Sequence, residues 1–315
     1  MKDRPHTRRD APTPGTAPAG AATATASRGR LEVVATPIGN LADLSPRARE
    51  SLQRADVIAA EDTRRTGQLL AAFGIERPLL SLHAHNERAR SAGLLARLEE
   101  GAVVALVSDA GTPVLSDPGH ELVRAAAAAG HAVTAIPGPT AIAAALAISG
   151  IPAERFCFEG FLPARPRERR ARLAALAREE RALVFFEGPH RLAEALTDLA
   201  EAFGAAREAV VARELTKAFE TVYRGTLAEL ATRAATDTNM VRGELTLIVA
   251  GAPRGGAGEG EGDGEEQRVR LEHTLRVLLR ELPPSKAAAL AAQLTGGRRS
   301  DAYALALQIA EADAR

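Results

Sequence analysis

Three short stretches combine glycine, proline and small polar side chains in a manner suited to ligand binding, TPIGN at residues 36–40, SDAGTPVLSDPG at 108–119 and PGPTA at 137–141, and a fourth, EDTRR at 61–65, is wholly polar and charged. Glycine lets a backbone approach a ligand closely and proline stiffens the loop. Asp or Thr side chains can bond a ribose, an amine or exposed backbone N–H groups. Together they point to a polar small molecule. Taken singly, Ser-Asp-x-Gly and Asp-Pro-Gly are also turn chemistry, with Ser116 and Asp117 as caps for the helix that follows. The loops contain neither the GxxxxGK[ST] phosphate loop nor the GxGxxG dinucleotide fingerprint, and no His/Cys cluster has metal spacing. ATP, NAD and zinc are therefore disfavoured as ligands.

The elements that must position these loops follow from hydrophobic patterning. Strand candidates are LEVVAT from Leu31, VIAA from Val57, VVALV from Val103, AVTAI from Ala132, FCFEG from Phe156, ALVFFE from Ala182, AVVAR from Ala209 and ELTLIVAG from Glu244. Helical patterns separate most of them, as at residues 46–55, 87–100 and 191–203. Such alternation implies α/β layers with a largely parallel sheet. In open sheets of this kind ligands sit beyond the carboxyl ends of the strands, where all four loops fall.

A polar hinge at residues 150–152 divides the core into α/β domains over residues 31–150 and 151–251. Residues 1–30, nearly free of large apolar side chains, read as a disordered extension. The glycine- and acid-rich residues 252–267 read as a flexible linker, and residues 268–315 as a small helical module with helices near 269–281, 285–294 and 300–311. Forty basic and forty acidic residues balance, so any attraction to nucleic acid must be local. RPRERRAR at residues 165–172 is one such place, and Arg298 and Arg299, between the last two helices, are another. A solvated helix face and a packing element are the respective alternatives. The single cysteine, Cys157, lies in apolar context and reads as a small core residue. No apolar run is long enough to cross a bilayer, and a cytosolic location is expected.

The segments VATPIGNLADLSPRA, AEDTRRT, VSDAGTPVLSDPG, IPGPTAIAAALAISGIP, FEGFLP, FFEGPHRL, RELTKAFET and RGELTLIVAG, in this order, resemble the bacterial small-subunit (16S) rRNA cytidine 2′-O-methyltransferase family. The resemblance spans residues 31–251. The family belongs to the tetrapyrrole-methylase superfamily, which implies two α/β/α domains with S-adenosylmethionine (SAM) in the cleft between them and S-adenosylhomocysteine as product. By position it implies cofactor contacts from Pro37 and Gly39, from Asp109, Ala110, Gly111, Thr112 and Pro113, and from Thr140 and Ala141. In the second domain it implies contacts from Phe186, Leu215, Gly243, Glu244 and Leu245. A homodimer, a substrate in the decoding region of 16S rRNA within the 30S subunit, and no metal are further implications.

Methyl transfer to a ribose hydroxyl is an in-line displacement that needs an aligned oxygen and a group to take its proton or stabilise its charge. Asp62, Arg64, Glu187 and Lys217 are the catalytic candidates, with Glu214 and His190 beside them in the motif loops. Arg64 and Arg65 also suit a phosphate. Asp62 and Arg64 can instead be a structural ion pair, and His190 a packing residue. A porphyrin-type methyltransferase and a non-catalytic RNA-binding assembly factor are the alternative functions.

Overall fold

A computed structural model describes residues 29–253 and 261–313 of the chain. Most of the expected N-terminal extension and the first part of the expected linker lie outside the described residues. The first half runs β1 (Arg30–Val34), α1 (Pro46–Arg54), β2 (Val57–Ala60), α2 (Thr63–Ala72), β3 (Leu79–Ser81), α3 (Glu87–Glu99), β4 (Val103–Val107), α4 (His120–Ala128), β5 (Ala132–Ile136) and α5 (Ala141–Ser149). Its sheet has the order β3-β2-β4-β1-β5, and every pairing is parallel. β2 and β4 are buried almost throughout, as strands covered on both faces must be. Because β1 and β4 are neighbours although three helices separate them in the chain, the loops leaving their carboxyl ends emerge side by side.

The second half runs β6 (Phe156–Phe161), α6 (Pro166–Leu176), β7 (Ala182–Glu187), α7 (Leu192–Phe203), β8 (Glu208–Arg213), β9 (Thr221–Thr226), α8 (Leu227–Thr236) and β10 (Leu245–Val249). Its sheet order is β6-β7-β10-β8-β9. Only β6 and β7 are parallel; β10 is antiparallel to β7 and β8, and β8 to β9. The expectation of a largely parallel sheet therefore fails for this half. The short residue 214–220 connection between β8 and β9 permits only an antiparallel return. Two strands were not evident in the sequence. β3 is three residues long, and β9 (TVYRGT) carries an arginine and a glycine where apolar alternation would continue.

Helix α5, apolar on nearly every side, joins the halves. Ile142 and Ala145 of α5 share one buried cluster with Ile38 of the first half and with Val184, Val210, Ala212 and Ile248 of the second sheet. Arg224 of β9 donates to the carbonyls of Ile148 and Ser149, satisfying the carboxyl end of α5 with a cation. Separate clusters cover the two faces of the first sheet and the outer face of the second. Cys157 is half-buried and packs against the outer cluster.

The last helices are α9 (Glu261–Leu278), α10 (Pro284–Thr295) and α11 (Arg299–Asp313), packed about Leu275, Ala288, Ala291 and Ala306. α9 begins eight residues before Val269, so the end of the expected flexible linker is helical. No proline interrupts the ladder between Glu261 and Val269, the first apolar residue of α9, although Gly262 and Gly264 weaken it there.

Candidate active site

The loops that follow β1 and β4 are bonded to one another. Thr36 and Gly111 exchange both backbone hydrogen bonds, N–H to O at 2.9 and 3.1 Å, and the Thr36 hydroxyl donates to the carbonyl of Ser108. Thr112 Oγ1 reaches the carbonyl of Pro139 in the fourth loop at 3.4 Å. Gly111 sits at φ +80°, where a side chain is strained, and a Cβ there would lie 3.3 Å from Ile38 Cγ2. The second loop hangs on Asp109, whose Oδ1 accepts from the backbone N–H of Asp62 at 2.9 Å while Oδ2 lies 3.3 Å from Arg65. One acidic residue after β4 thus fixes the loop after β2.

The first, third and fourth loops form one wall of a cleft of about 310 Å³, and the strand ends of the second sheet form the other; no residue of the second loop lines it. That volume is at the lower end of the range for small-molecule sites. Ten of the fourteen expected cofactor residues line it: Ala110, Gly111, Thr112, Thr140 and Ala141 on one side, and Phe186, Leu215, Gly243, Glu244 and Leu245 on the other. Pro37, Gly39, Asp109 and Pro113 do not. Pro37 and Pro113 are buried behind the wall, and Asp109 turns toward the second loop. A Cβ on Gly39 would strike the Lys217 side chain, 2.4 Å from Cγ, so this glycine makes room for a lysine from the other half of the molecule.

Among the expected catalytic residues only Glu187 lines the cleft. It ends β7 with its side chain fully buried. Oε1 accepts from the Gly188 N–H at 2.8 Å, and Arg191 Nη2 donates to Oε2 at 3.3 Å. Burial raises its pKa above the ordinary carboxyl value, against the lowering by Gly188 and Arg191. Asp62 caps α2 by accepting from Arg64 N–H and grips the Arg64 guanidinium through both oxygens, at 3.2 and 2.9 Å. These bonds hold its carboxyl down at about 2, so it is an anion of low basicity. Arg64 is 88% exposed beyond that grip. Lys217 Nζ lies 2.9 Å from Glu214 Oε1 and 3.1 Å from Glu244 Oε2. Burial works against its charge, but the two carboxylates prevail and raise its pKa, so Lys217 is a fixed cation and no proton acceptor. His190 is exposed next to the cleft-lining Pro189.

The alternative reading of Ser116 and Asp117 as caps for α4 fails, since neither caps it. Glu87 Oε1, from the first turn of α3, accepts from the N–H groups of Gly119 and Glu121 at 2.9 and 2.7 Å. This distant carboxylate leaves Ser116 and Asp117 to line the cleft. Burial raises the pKa of Asp117, with the neighbouring charge of Asp109 adding to it and a hydrogen bond from Ser108 opposing. The motif containing Asp117 was legible, but the role was not, because the competing cap comes from 30 residues away in the chain.

Backbone strain converges on the same place. Among the described residues the non-glycine positions at positive φ are Val114 and Ser116, in the loop after β4, and Glu214 and Thr216, in the loop after β8. Strained positions persist where surrounding contacts over-determine them, commonly at binding sites. At the head of α5, which lines the cleft through Thr140, Ala141 and Ile142, the N-cap Thr140 makes no side-chain cap bond. That end suits a carboxylate. Asp117 and Glu244 suit an ammonium or sulfonium group, and Ile38, Phe186, Leu215 and Leu245 supply an apolar bed for a flat ring. The residues present therefore fit SAM.

The sequence model described as Tetrapyrrole (Corrin/Porphyrin) Methylases matches residues 30–231. The chain belongs to the tetrapyrrole-methylase family. A second model, described as RsmI C-terminal HTH domain, matches residues 265–310 of this family member, the region of α9 to α11. Among curated relatives, the chain is 56% identical to "Ribosomal RNA small subunit methyltransferase I" of Xylella fastidiosa, over 87% of this chain and 98% of the relative. It is 51% identical to the protein of the same name from Pseudomonas aeruginosa, over 90% of this chain and 98% of that one. Solved tetrapyrrole methylases share the fold at low identity. The methyltransferase CobJ superposes with a TM-score of 0.55 at 23% identity, covering 72% of this chain and 97% of its own. Uroporphyrin-III C-methyltransferase of Thermus thermophilus, complexed with S-adenosylhomocysteine, gives 0.51 at 21%, covering 70% and 97%. Among the described residues no helix is long and apolar enough to cross a membrane, and no group of three or more His, Cys, Asp or Glu side chains is placed to hold a metal.

Proposed function

We propose that this chain is a SAM-dependent methyltransferase of small-subunit ribosomal RNA that methylates the ribose 2′-oxygen of a cytidine in the decoding region. One observation carries the reading. The chain is 56% identical to a relative named for that RNA over nearly the relative's whole length, and the glycine- and proline-bearing loops of its first half line a cleft whose residues fit SAM.

SAM supplies a methyl group on a sulfonium, ready for in-line displacement. The protein must then hold the ribose in line and receive the hydroxyl proton. Asp117 and Glu187 are the cleft carboxyls whose basicity burial increases, which suits a proton acceptor. Lys217, clamped by Glu214 and Glu244 against the first loop, contributes positive charge close to the oxygen that loses its proton. Arg64 extends from the second loop with its charge in solvent, positioned for an RNA phosphate. Of the arginines in residues 165–172, Arg169 is buried on Asp198 and Arg170 shares that carboxylate, while Arg165 and Arg172 pair with Glu168 and Glu159. Arg167 is exposed and is the freest of them to meet RNA.

The enzyme works in the cytosol as a homodimer on the assembled 30S subunit, where a two-fold pairing would extend the RNA-binding surface across two chains. The test combines calorimetry of S-adenosylhomocysteine binding with methyl transfer to 30S subunits from cells lacking the gene. Absence of binding, or mass spectrometry locating the methyl on a base, overturns the proposal. Light scattering that gives a fully active monomer overturns the dimer.

A further inference from the structure

With eight phenylalanines, two tyrosines and no tryptophan in 315 residues, this chain uses aromatic rings sparingly. Phe161 is nevertheless 58% exposed, at the carboxyl end of β6, and lines the cleft. Its ring is not loose. Phe161 pairs directly opposite Phe186 in the parallel register, their ring centroids are 5.6 Å apart, and Phe186 in turn packs edge-on against Phe158 at 4.9 Å. The backbone beyond it is held as well, because Arg191 Nη2 donates to the carbonyls of Leu162 and Pro163 at 2.5 and 3.3 Å while contacting Glu187. A rigid aromatic face is thereby presented from a strand end beside a buried carboxyl. Four residues further on, the chain enters α6 with Arg165 and Arg167 exposed.

A single exposed phenylalanine is ordinary on a protein surface. An exposed ring that is pre-oriented by two others, lines a cleft and is followed at once by exposed arginines is the combination that single-stranded RNA sites use: a π face for an unstacked base and cations for the adjoining phosphates. A ribose 2′-oxygen can enter a cleft between two domains only if its nucleotide leaves the stack, and the base that leaves needs a new surface. We infer that Phe161 forms a nucleobase subsite at the mouth of the cleft, stacking the unstacked pyrimidine of the RNA substrate while Arg167 takes a neighbouring phosphate. The inference rests on the RNA reading above. The cofactor's own adenine is the competing occupant of an aromatic ring here. Phe161 is at the solvent side of Phe186, which places it toward a ligand arriving from outside.

Because the chain has no tryptophan, Phe161→Trp gives a single fluorophore at the site. With S-adenosylhomocysteine present, its emission should be quenched by a short oligoribonucleotide containing one cytidine, and not by the same strand with an abasic nucleotide in that place. In steady-state assays on 30S subunits lacking the modification, Phe161→Leu should lower kcat/KM by about 5- to 150-fold, the range for loss of one base–aromatic stack. Phe161→Tyr should restore activity, and S-adenosylhomocysteine affinity should be unchanged in both. Full activity of Phe161→Leu overturns the inference, as does equal quenching by abasic RNA. A fall in S-adenosylhomocysteine affinity that accounts for the lost activity overturns it too, by giving the ring to the cofactor. If wild-type enzyme transfers no methyl to 30S RNA, the functional proposal fails instead, and the fluorescence measurement still decides the base subsite.

Discussion

Gly111→Val tests whether the joint between the first and third loops shapes the cofactor cleft. At φ +80° a residue with a Cβ costs about 1–2 kcal/mol, and a β-branched one sits at the upper end of that range. If the backbone holds, that strain is lost folding stability. If it yields, the reciprocal Thr36–Gly111 bonds go, at about 1 kcal/mol each, and the wall of the cleft moves. Displacement of the wall by about 2 kcal/mol of lost bonding corresponds to roughly 30-fold weaker S-adenosylhomocysteine binding. Gly74→Val is the control, since Gly74 lies at φ +64° with nothing within 4 Å of a Cβ and is not part of this cleft. Urea unfolding should show both variants destabilised by about 1–2 kcal/mol. Calorimetry should show the affinity loss for Gly111→Val alone. Wild-type affinity in Gly111→Val, or equal losses in the two variants, refutes the reasoning.

Asp198→Ala should cost about 3–5 kcal/mol in urea unfolding, because it leaves the buried Arg169 guanidinium with only the exposed Glu194 as a carboxylate partner; replacing both residues by leucine should recover most of the loss. Asp117→Asn should be stabilising at pH 8: the folded pKa is raised above the ordinary 3.8, so the ionised carboxylate opposes folding, and the gain should shrink as pH falls toward 3.8 and the wild-type group takes up its proton. A gain independent of pH contradicts that assignment. Lys217→Ala should leave S-adenosylhomocysteine affinity near normal while single-turnover methylation drops by about 2–4 kcal/mol of transition-state stabilisation; retention of full turnover removes Lys217 from the chemistry.

The linear order of residues was enough to establish the alternation of strands and helices, the four motif loops and part of the cleft wall. Each is a local property: short β-rich runs, turn residues at strand ends, helical periodicity. The loops that hold Ala110 to Thr112 and Thr140 to Ala141 could be placed near a ligand because they follow strands whose carboxyl ends must face one side of a parallel sheet, and the family resemblance singled out those residues within them. Residue roles that depend on partners distant in the chain could not be read in this way. Sequence leaves Asp62 open as a catalytic base or as the partner of Arg64, and Asp117 as a ligand contact or a helix cap; the α2 cap and the Arg64 grip decide the first, and Glu87 in the cap position of α4 decides the second. The pairing of β8 with β9, the burial of Arg169 within a run of exposed arginines, and the seating of Lys217 on Gly39 likewise depend on contacts that close only when the chain has folded. Hydrogen bonding and desolvation act through space. The sequence alone therefore determined which groups were available to the site, and tertiary structure decided which were buried, which were neutralised and which remained free to act.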